Sequence, residues 1–221
     1  MQSAIKGCEA VDQSPFDAMP EVIAAVRRGE VVIVTDDEQR ENEGDLICAA
    51  EAVTPDIINF MARYGRGLIC VALEADRLQA LDIRPARHRG CRDHYNTAFM
   101  ESVDARDGIT TGISAADRAR TIHLLVDAAT HVDDLVSPGH IFPLQAMPGG
   151  VLERPGHTEA AVDLATLAGL PRAGVICEII RDDGAMARVP DLIDFSAQHK
   201  LKMTSVADLI RYRRSHEEAL P

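Results

Sequence analysis

Apolar runs of strand length alternate with segments of helical spacing along most of the chain. The first third predicts a helix, a buried strand, a helix that follows the N-cap Thr54, and a second strand, at residues 21–28, 31–34, 55–65 and 67–73. The remainder predicts strands at 97–103 and 174–180 and helices at 115–127, 158–169, 191–198 and 206–213. This order predicts an α+β fold, a layered α/β sandwich with a mixed sheet and surrounding helices.

Composition narrows the class of protein. The 221 residues are 46% hydrophobic and 26% charged, which predicts a single globular domain over residues 1–221 with its core at about 17–214. A net charge of −12 argues against a nucleic-acid or anionic-membrane surface. Without a signal-peptide core or a membrane-length apolar segment, we expect a cytoplasmic protein. The five cysteines lack a CxxC pair, so structural zinc is not expected.

An acidic stretch follows the first predicted strand directly. Residues 36–45 carry six acidic side chains and Arg40, and such carboxylates repel one another unless a cation or a polar ligand compensates them. One interpretation is an ordinary solvated loop. The other is a site for a hard divalent metal, in which a sharp turn at Gly44 points Glu41, Glu43 and Asp45 into a common space.

A second cluster lies far along the chain at residues 154–159. His157 and Thr158 stand at a predicted helix start, where free N–H groups favour an anion, and Arg154 precedes them. Taken alone, Thr158 is better explained as a helix cap and His157 as a structural residue. Together with the acidic stretch, His157 becomes a candidate ligand for Mg²⁺ or Mn²⁺.

Two further residues are candidates for proton transfer. Glu178 interrupts the apolar strand 174–180, and it faces either the surface or a pocket that would raise its pKa. His140 lies between two prolines and beside a glycine, which predicts a rigid loop.

Several of these motifs resemble one known family. The sequence RENEGD together with GHTEA, within runs over residues 37–45, 108–116, 138–144, 150–169 and 182–188, is similar to 3,4-dihydroxy-2-butanone 4-phosphate synthase of riboflavin biosynthesis. The likeness covers roughly residues 17–214. We therefore expect a monofunctional form, without the fused GTP cyclohydrolase II half of bifunctional relatives. Ser137 and the pair Met100 and Glu101 depart from the family pattern, which puts affinity in doubt before activity.

The resemblance implies a carbon–carbon lyase that converts D-ribulose 5-phosphate into L-3,4-dihydroxybutan-2-one 4-phosphate and formate. It implies two Mg²⁺ or Mn²⁺ ions held by Glu41 and His157, with His140 and Glu178 moving protons. The substrate contacts that it implies are Arg40, Glu41, Asp45, Thr111, Arg154, Gly156, His157, Thr158 and Glu178.

The resemblance also implies a homodimer with active sites at the shared surface. We expect the acidic stretch and the Arg- and His-rich loop 84–96 to close over the substrate. Two alternatives stay open: a metal-dependent isomerase or aldolase that releases no formate, and a catalytically silent binding protein that has kept the fold.

Overall fold

A computed structural model describes residues 14–86, 95 and 97–216. Its helices are α1 (Met19–Arg27), α2 (Pro55–Phe60), α3 (Ala75–Ala80), α4 (Ala115–Val126), α5 (His157–Leu167), α6 (Val189–His199) and α7 (Val206–Ser215). Its strands are β1 (Val32–Thr35), β2 (Gly44–Ala49), β3 (Cys70–Leu73), β4 (Val103–Ala105), β5 (Leu135–Gln145), β6 (Ala173–Glu178) and β7 (Lys202–Ser205). The predicted α+β fold is confirmed.

Within the described residues the strands form one mixed sheet in the order β4-β5-β3-β6-β2-β1-β7. The pairs β3/β5 and β1/β7 are parallel, and the other neighbours are antiparallel. Strands β2 and β6 are neighbours near the centre of the sheet, where helices cover both faces.

Successive side chains along each strand point to opposite faces of the sheet, so they pack into two hydrophobic cores. Ile33, Leu46 and Cys177 pack with α2, α3, α4 and α6 on one face. Val34 and Ile47 pack with α1, α5 and α7 on the other face. The cysteines Cys48, Cys70 and Cys177 are buried free thiols in these strands.

Serine and threonine caps mark the starts of three of the seven α-helices among the described residues. The Thr54 hydroxyl accepts a hydrogen bond from Ile57 N at 3.2 Å, and Ser205 caps α7 in the same way through Asp208 N at 3.1 Å. Ser114 caps α4 through Asp117 N, but the Asp117 carboxylate accepts hydrogen bonds from the loop residues Thr110 and Gly112 rather than completing a capping box.

Three predicted elements need correction. The strand expected over 97–103 is broken: Phe99 and Met100 make isolated bridges, and regular pairing starts only at Val103, where the register shifts against β5. The strand expected from Gly67 begins at Cys70. His140 lies inside β5 and not in a loop, because β5 continues past Pro138 to pair with β4 along an edge.

Three strands were missed by the sequence prediction. These are β2, β5 and β7, which begin or end among polar residues and prolines. No helix among the described residues has the length and apolar character that crossing a membrane requires. Most of the loop expected at 84–96, namely residues 87–94 and 96, lies outside the described part of the chain.

Candidate active site

The acidic segment after β1 folds around the side chain of Asp36. This buried carboxylate accepts hydrogen bonds from Arg40 Nη1 at 2.9 Å, from Glu41 N at 3.0 Å and from Glu43 N at 2.9 Å. The segment is therefore an ordered loop and not simply a solvated acidic run. We call residues 36–43 the acidic loop.

The turn in the acidic loop is at Asn42 and not at Gly44. Asn42 has φ 53°, whereas Gly44 is the first residue of β2. A Cβ on Gly44 would lie 2.4 Å from Leu192 Cδ1, so the glycine serves close packing against α6. The interpretation of Gly44 as a turn is wrong, although Glu41, Glu43 and Asp45 do converge.

Strand pairing joins the two ends of the candidate site. Asp45 on β2 lies opposite Glu178 on β6 in the ladder, so their side chains project to the same face of the sheet. Glu178 Oε2 accepts a hydrogen bond from Leu68 N at 2.8 Å. Of the two alternatives for Glu178, the structure supports the one in which it faces a pocket.

The N-terminus of α5 closes the site from above the sheet. The N-cap is Gly156, and none of the described side chains caps this helix. Thr158 is the second helical residue, so its interpretation as a cap is wrong. First-turn N–H groups without a side-chain cap are suited to an anionic ligand.

These elements enclose a cavity of about 220 Å³, which we call the carboxylate pocket. Its lining consists of Arg40, Glu41, Glu43, Asp45, Cys70, Thr97, Phe99, Leu144, Arg154, His157, Thr158, Ile176 and Glu178. A larger cavity of about 650 Å³ is lined by residues 36–40 of the acidic loop, but its lining carries no imidazole. The smaller cavity is therefore the one that contains the carboxylates and the imidazole predicted from the sequence.

The charges in the carboxylate pocket perturb one another. Burial raises the pKa of Asp45 to about 7, against the opposing effect of His157, and the nearby carboxylates of Glu178 and Glu41 add to the rise. Burial alone would lower the pKa of His157, but Asp45 and Glu41 raise it to about 9. Despite burial, hydrogen bonding from His157 and the charge of Arg40 hold the pKa of Glu41 below its ordinary value.

The side chains present fit a divalent cation. His157 Nδ1 lies 3.4 Å from Glu41 Oε2 and 3.9 Å from Asp45 Oδ1. Buried His157 Nε2 and Asp45 Oδ1 have no hydrogen-bond partner among the described residues, which is costly unless a ligand supplies one. Ligand atoms of Asp36, Glu41 and His157 lie within 4.8 Å of one another. Of these three residues, Asp36 accepts hydrogen bonds on both oxygens and Glu41 accepts one from Arg40 Nη1 on Oε2 at 2.6 Å, so the donors left for a metal are Glu41 Oε1 and His157.

Tyr95 connects the two arginines of the site. Its hydroxyl donates to Arg40 O at 2.6 Å, and the Arg40 guanidinium lies 5.2 Å from the centre of its ring. Its carbonyl accepts from Arg154 Nη2 at 3.0 Å. The sequence prediction missed this role, because no pattern distinguishes Tyr95 from its irregular neighbours.

His140 and Thr111 lie apart from the carboxylate pocket. His140 Nδ1 is 2.6 Å from Asp104 Oδ2, a partner that the sequence prediction missed. Neither His140 nor the exposed Thr111 is among the described residues that line the pocket. Leu144 near the end of β5 lines the pocket, but His140 lies four residues before it, which amounts to about 13 Å at about 3.3 Å per residue.

The α+β sheet, with carboxylates and an imidazole around a small polar pocket, defines a metal-binding enzyme domain. The family model of 3,4-dihydroxy-2-butanone 4-phosphate synthase matches residues 20–212. The chain therefore belongs to the 3,4-dihydroxy-2-butanone 4-phosphate synthase family.

Individual relatives agree with this assignment. The chain is 56% identical over 208 residues to the riboflavin biosynthesis protein RibBA of Aquifex aeolicus, covering 93% of this chain and 51% of the relative. It is 51% identical over 207 residues to the 3,4-dihydroxy-2-butanone 4-phosphate synthase of Neisseria meningitidis serogroup B strain MC58, covering 94% and 57%. The chain thus spans about half the length of these curated relatives.

Among solved structures, a 3,4-dihydroxy-2-butanone 4-phosphate synthase in complex with two magnesium ions superposes with a TM-score of 0.87. It is 41% identical, and the match covers 93% of this chain and all of the other chain. The two-domain enzyme from A. baumannii superposes with a TM-score of 0.86 at 50% identity, covering 90% of this chain and 59% of the other.

Proposed function

We propose that this chain converts D-ribulose 5-phosphate into L-3,4-dihydroxybutan-2-one 4-phosphate and formate, the lyase step of its family in riboflavin biosynthesis. The observation that carries the proposal is the convergence of Glu41, His157, Asp45 and Glu178 around one pocket beside an uncapped helix N-terminus. Family membership gives this convergence its particular chemistry.

We assign Glu41 and His157 to a pair of Mg²⁺ or Mn²⁺ ions. The unpartnered Nε2 atom of His157 supports this, as do the two magnesium ions in the complex of a relative. When bound, the ions supply Lewis-acid polarisation of adjacent sugar oxygens. Asp45 and Arg40 then contact the hydroxyl groups of the sugar, together with Glu41 and His157.

The phosphate would lie at the start of α5. Gly156 has no side chain to obstruct the first-turn N–H groups, and the Thr158 hydroxyl and the Arg154 guanidinium lie beside them. Arg154 donates through Nε and Nη2 to Tyr95 O and Thr97 Oγ1. It donates through one N–H of Nη1 to Glu159, so it offers the phosphate its positive charge and the second N–H of Nη1. The pocket therefore has an anionic end for cations and a cationic end for phosphate.

Proton transfer is assigned to Glu178 and His140. Glu178 is held toward the sugar position by the hydrogen bond from Leu68 N. In the tautomer in which His140 Nδ1–H donates to Asp104, His140 Nε2 carries the lone pair that takes a proton.

We further propose a homodimer in which His140 and Thr111 of one protomer complete the pocket of its partner. The separation of about 13 Å along β5 between His140 and the pocket-lining Leu144 argues against a contact between His140 and the sugar within one chain. Ile113 is 53% exposed and Val136 is 40% exposed near these residues, which supports an apolar contact surface there.

The test is product analysis with purified protein, D-ribulose 5-phosphate and Mg²⁺, beside a sample with EDTA. Formate and the four-carbon phosphate in equal amounts, only with metal, are expected. Consumption of the sugar phosphate without formate would replace the proposal with an isomerase or aldolase. No consumption with either Mg²⁺ or Mn²⁺ would favour the silent binding protein.

A further inference from the structure

A fully buried carboxylate stands behind the proposed phosphate end of the pocket. Glu159, in the first turn of α5, has a side chain with 0% exposure. Its Oε2 accepts a hydrogen bond from Arg154 Nη1 at 2.9 Å, and its Oε1 accepts one from Met147 N at 3.1 Å. Burying a carboxylate costs several kcal/mol unless it is paired, so both donors are needed to keep the charge in place.

The atoms around Gly156 show which groups lie beside the Glu159 carboxylate. A Cβ on Gly156 would lie 2.9 Å from Arg40 Nη2 and 3.0 Å from Arg154 Nη1. It would also lie 3.0 Å from Glu159 Oε2. The guanidinium groups of Arg40 and Arg154 thus converge beside the helix N-terminus. Glu159 accepts a hydrogen bond from Arg154 and so holds that guanidinium in place.

The opposite wall of the pocket explains why Arg154 needs an anchor. Glu41, Glu43, Asp45 and Glu178 line the same cavity as Arg154. Without Glu159, the Arg154 guanidinium would keep the neutral acceptors Tyr95 O and Thr97 Oγ1, which hold it less firmly than a carboxylate does. It would then turn toward the carboxylates of the opposite wall, since opposite charges attract strongly in a partly buried site. That would remove the cation from the phosphate end and occupy the oxygens assigned to the metal.

We propose that Glu159 is a positioning residue, which holds the Arg154 guanidinium at the phosphate subsite and away from the carboxylate wall. The inference rests on the proposed function for the identity of the substrate, because Arg154 is the group assigned to the phosphate. It predicts that Glu159 contributes to phosphate affinity without touching the phosphate.

The perturbation is Glu159→Gln, which keeps the shape but offers one carbonyl oxygen where two donors need an acceptor. The NH2 group of the glutamine would oppose either Met147 N–H or the Arg154 guanidinium, because both are donors. In either orientation the guanidinium loses its negatively charged partner. The matched control is Asp163→Asn, one turn further along α5. Asp163 is also buried and accepts hydrogen bonds from Val151 N at 2.9 Å and Arg213 Nη1 at 2.8 Å, but Arg213 belongs to α7 and not to the pocket.

The first readout is calorimetric binding of inorganic phosphate in metal-free buffer, which reports on the phosphate end alone. We expect the dissociation constant to rise about tenfold in Glu159→Gln, as for loss of one charge-assisted hydrogen bond. It should change less than twofold in Asp163→Asn. The second readout is kinetic: KM for ribulose 5-phosphate should rise with the phosphate dissociation constant while kcat changes less than threefold. If Glu159→Gln fails to fold, Glu159→Asp is measured in its place. It keeps the charge, so it should raise the phosphate dissociation constant, but by less than the tenfold expected for Glu159→Gln.

Unchanged phosphate affinity in Glu159→Gln would overturn the inference, and so would an equal loss in Asp163→Asn, because that loss would report general destabilisation of α5. A fall in kcat with unaltered phosphate binding would also overturn it in favour of a direct catalytic role. If the unmodified protein binds phosphate and Glu159→Gln weakens that binding, but no formate is released, the proposed function fails and the inference about the subsite stands.

Discussion

The order of the acidic loop depends on one buried carboxylate, so Asp36→Asn should impair the site although Asp36 is not assigned to metal or substrate. Its side chain is 0% exposed, and its Oδ2 accepts from both Arg40 Nη1 and Glu41 N. In its less costly orientation the asparagine NH2 group would oppose Glu43 N, and its uncharged oxygen would bind Arg40 Nη1 and Glu41 N about half as strongly. At about 1.5 kcal/mol for the lost bond and about half that for each weakened one, the loss is about 3 kcal/mol.

That free energy corresponds to a fall of about 100-fold in kcat/KM, if the ordered loop is what presents Glu41 and Arg40 to their ligands. The assay is formate release across a range of ribulose 5-phosphate concentrations, with Mg²⁺ affinity measured separately by calorimetry. Mg²⁺ binding should weaken in parallel, because Glu41 follows the loop backbone.

Asp37→Asn is the matched control. Asp37 is exposed and accepts a hydrogen bond from Gln39 N at 2.8 Å, so its substitution should change kcat/KM less than threefold. If Asp36→Asn also stays within threefold of the unmodified protein, the acidic loop is ordered by something other than Asp36 and the reasoning is refuted.

Three other perturbations test separate parts of the structure. Gly112→Ala should reduce activity at least tenfold while the protein stays folded by circular dichroism, because a Cβ there would lie 2.6 Å from His140 Nδ1 at a φ of 91°; near-normal activity would contradict the assigned role of that imidazole. An inactive His140→Asn variant mixed with an inactive Glu41→Gln variant should regain up to about a quarter of normal formate release if the protomers exchange and share sites, whereas no recovery in verified mixed dimers would place both residues in one chain's site. Arg213→Met should lower the free energy of unfolding by about 3 kcal/mol at pH 8 in urea titrations, because it leaves buried Asp163 unpaired. Burial already raises the pKa of Asp163, so the penalty should shrink as pH falls and the carboxyl protonates; a penalty that grows toward acidic pH would contradict this account.

The elements with strong local signals were the ones that the sequence could predict. The caps at Thr54, Ser114 and Ser205 are in place, and so is the strand predicted at 31–34, which the structure shows as β1. Strand β5 was missed because its prolines and glycine resemble a loop, and its role depends on edge pairing with β4, which is not a local property.

The residues of the candidate site also divide into those that the sequence could predict and those that it could not. Glu41 and His157 could be found because each belongs to a recognisable motif: Glu41 lies in a dense acidic stretch, and His157 lies at a predicted helix start beside an arginine. Asp36, Tyr95, Asp104 and Glu159 act on motif residues through hydrogen bonds that exist only after folding. A partner such as Asp104, 36 positions before His140, leaves no recognisable spacing in a single sequence.

The measurement that tests the central claim most directly follows one carbon atom. Ribulose 5-phosphate labelled with ¹³C at C4 is incubated with the protein and Mg²⁺, and the products are observed by NMR. The account predicts that the label appears in formate, and that Glu41→Gln and the EDTA sample release none. Label retained in a five-carbon sugar phosphate, or in a fragment other than formate, would contradict the assignment of this site to the lyase reaction.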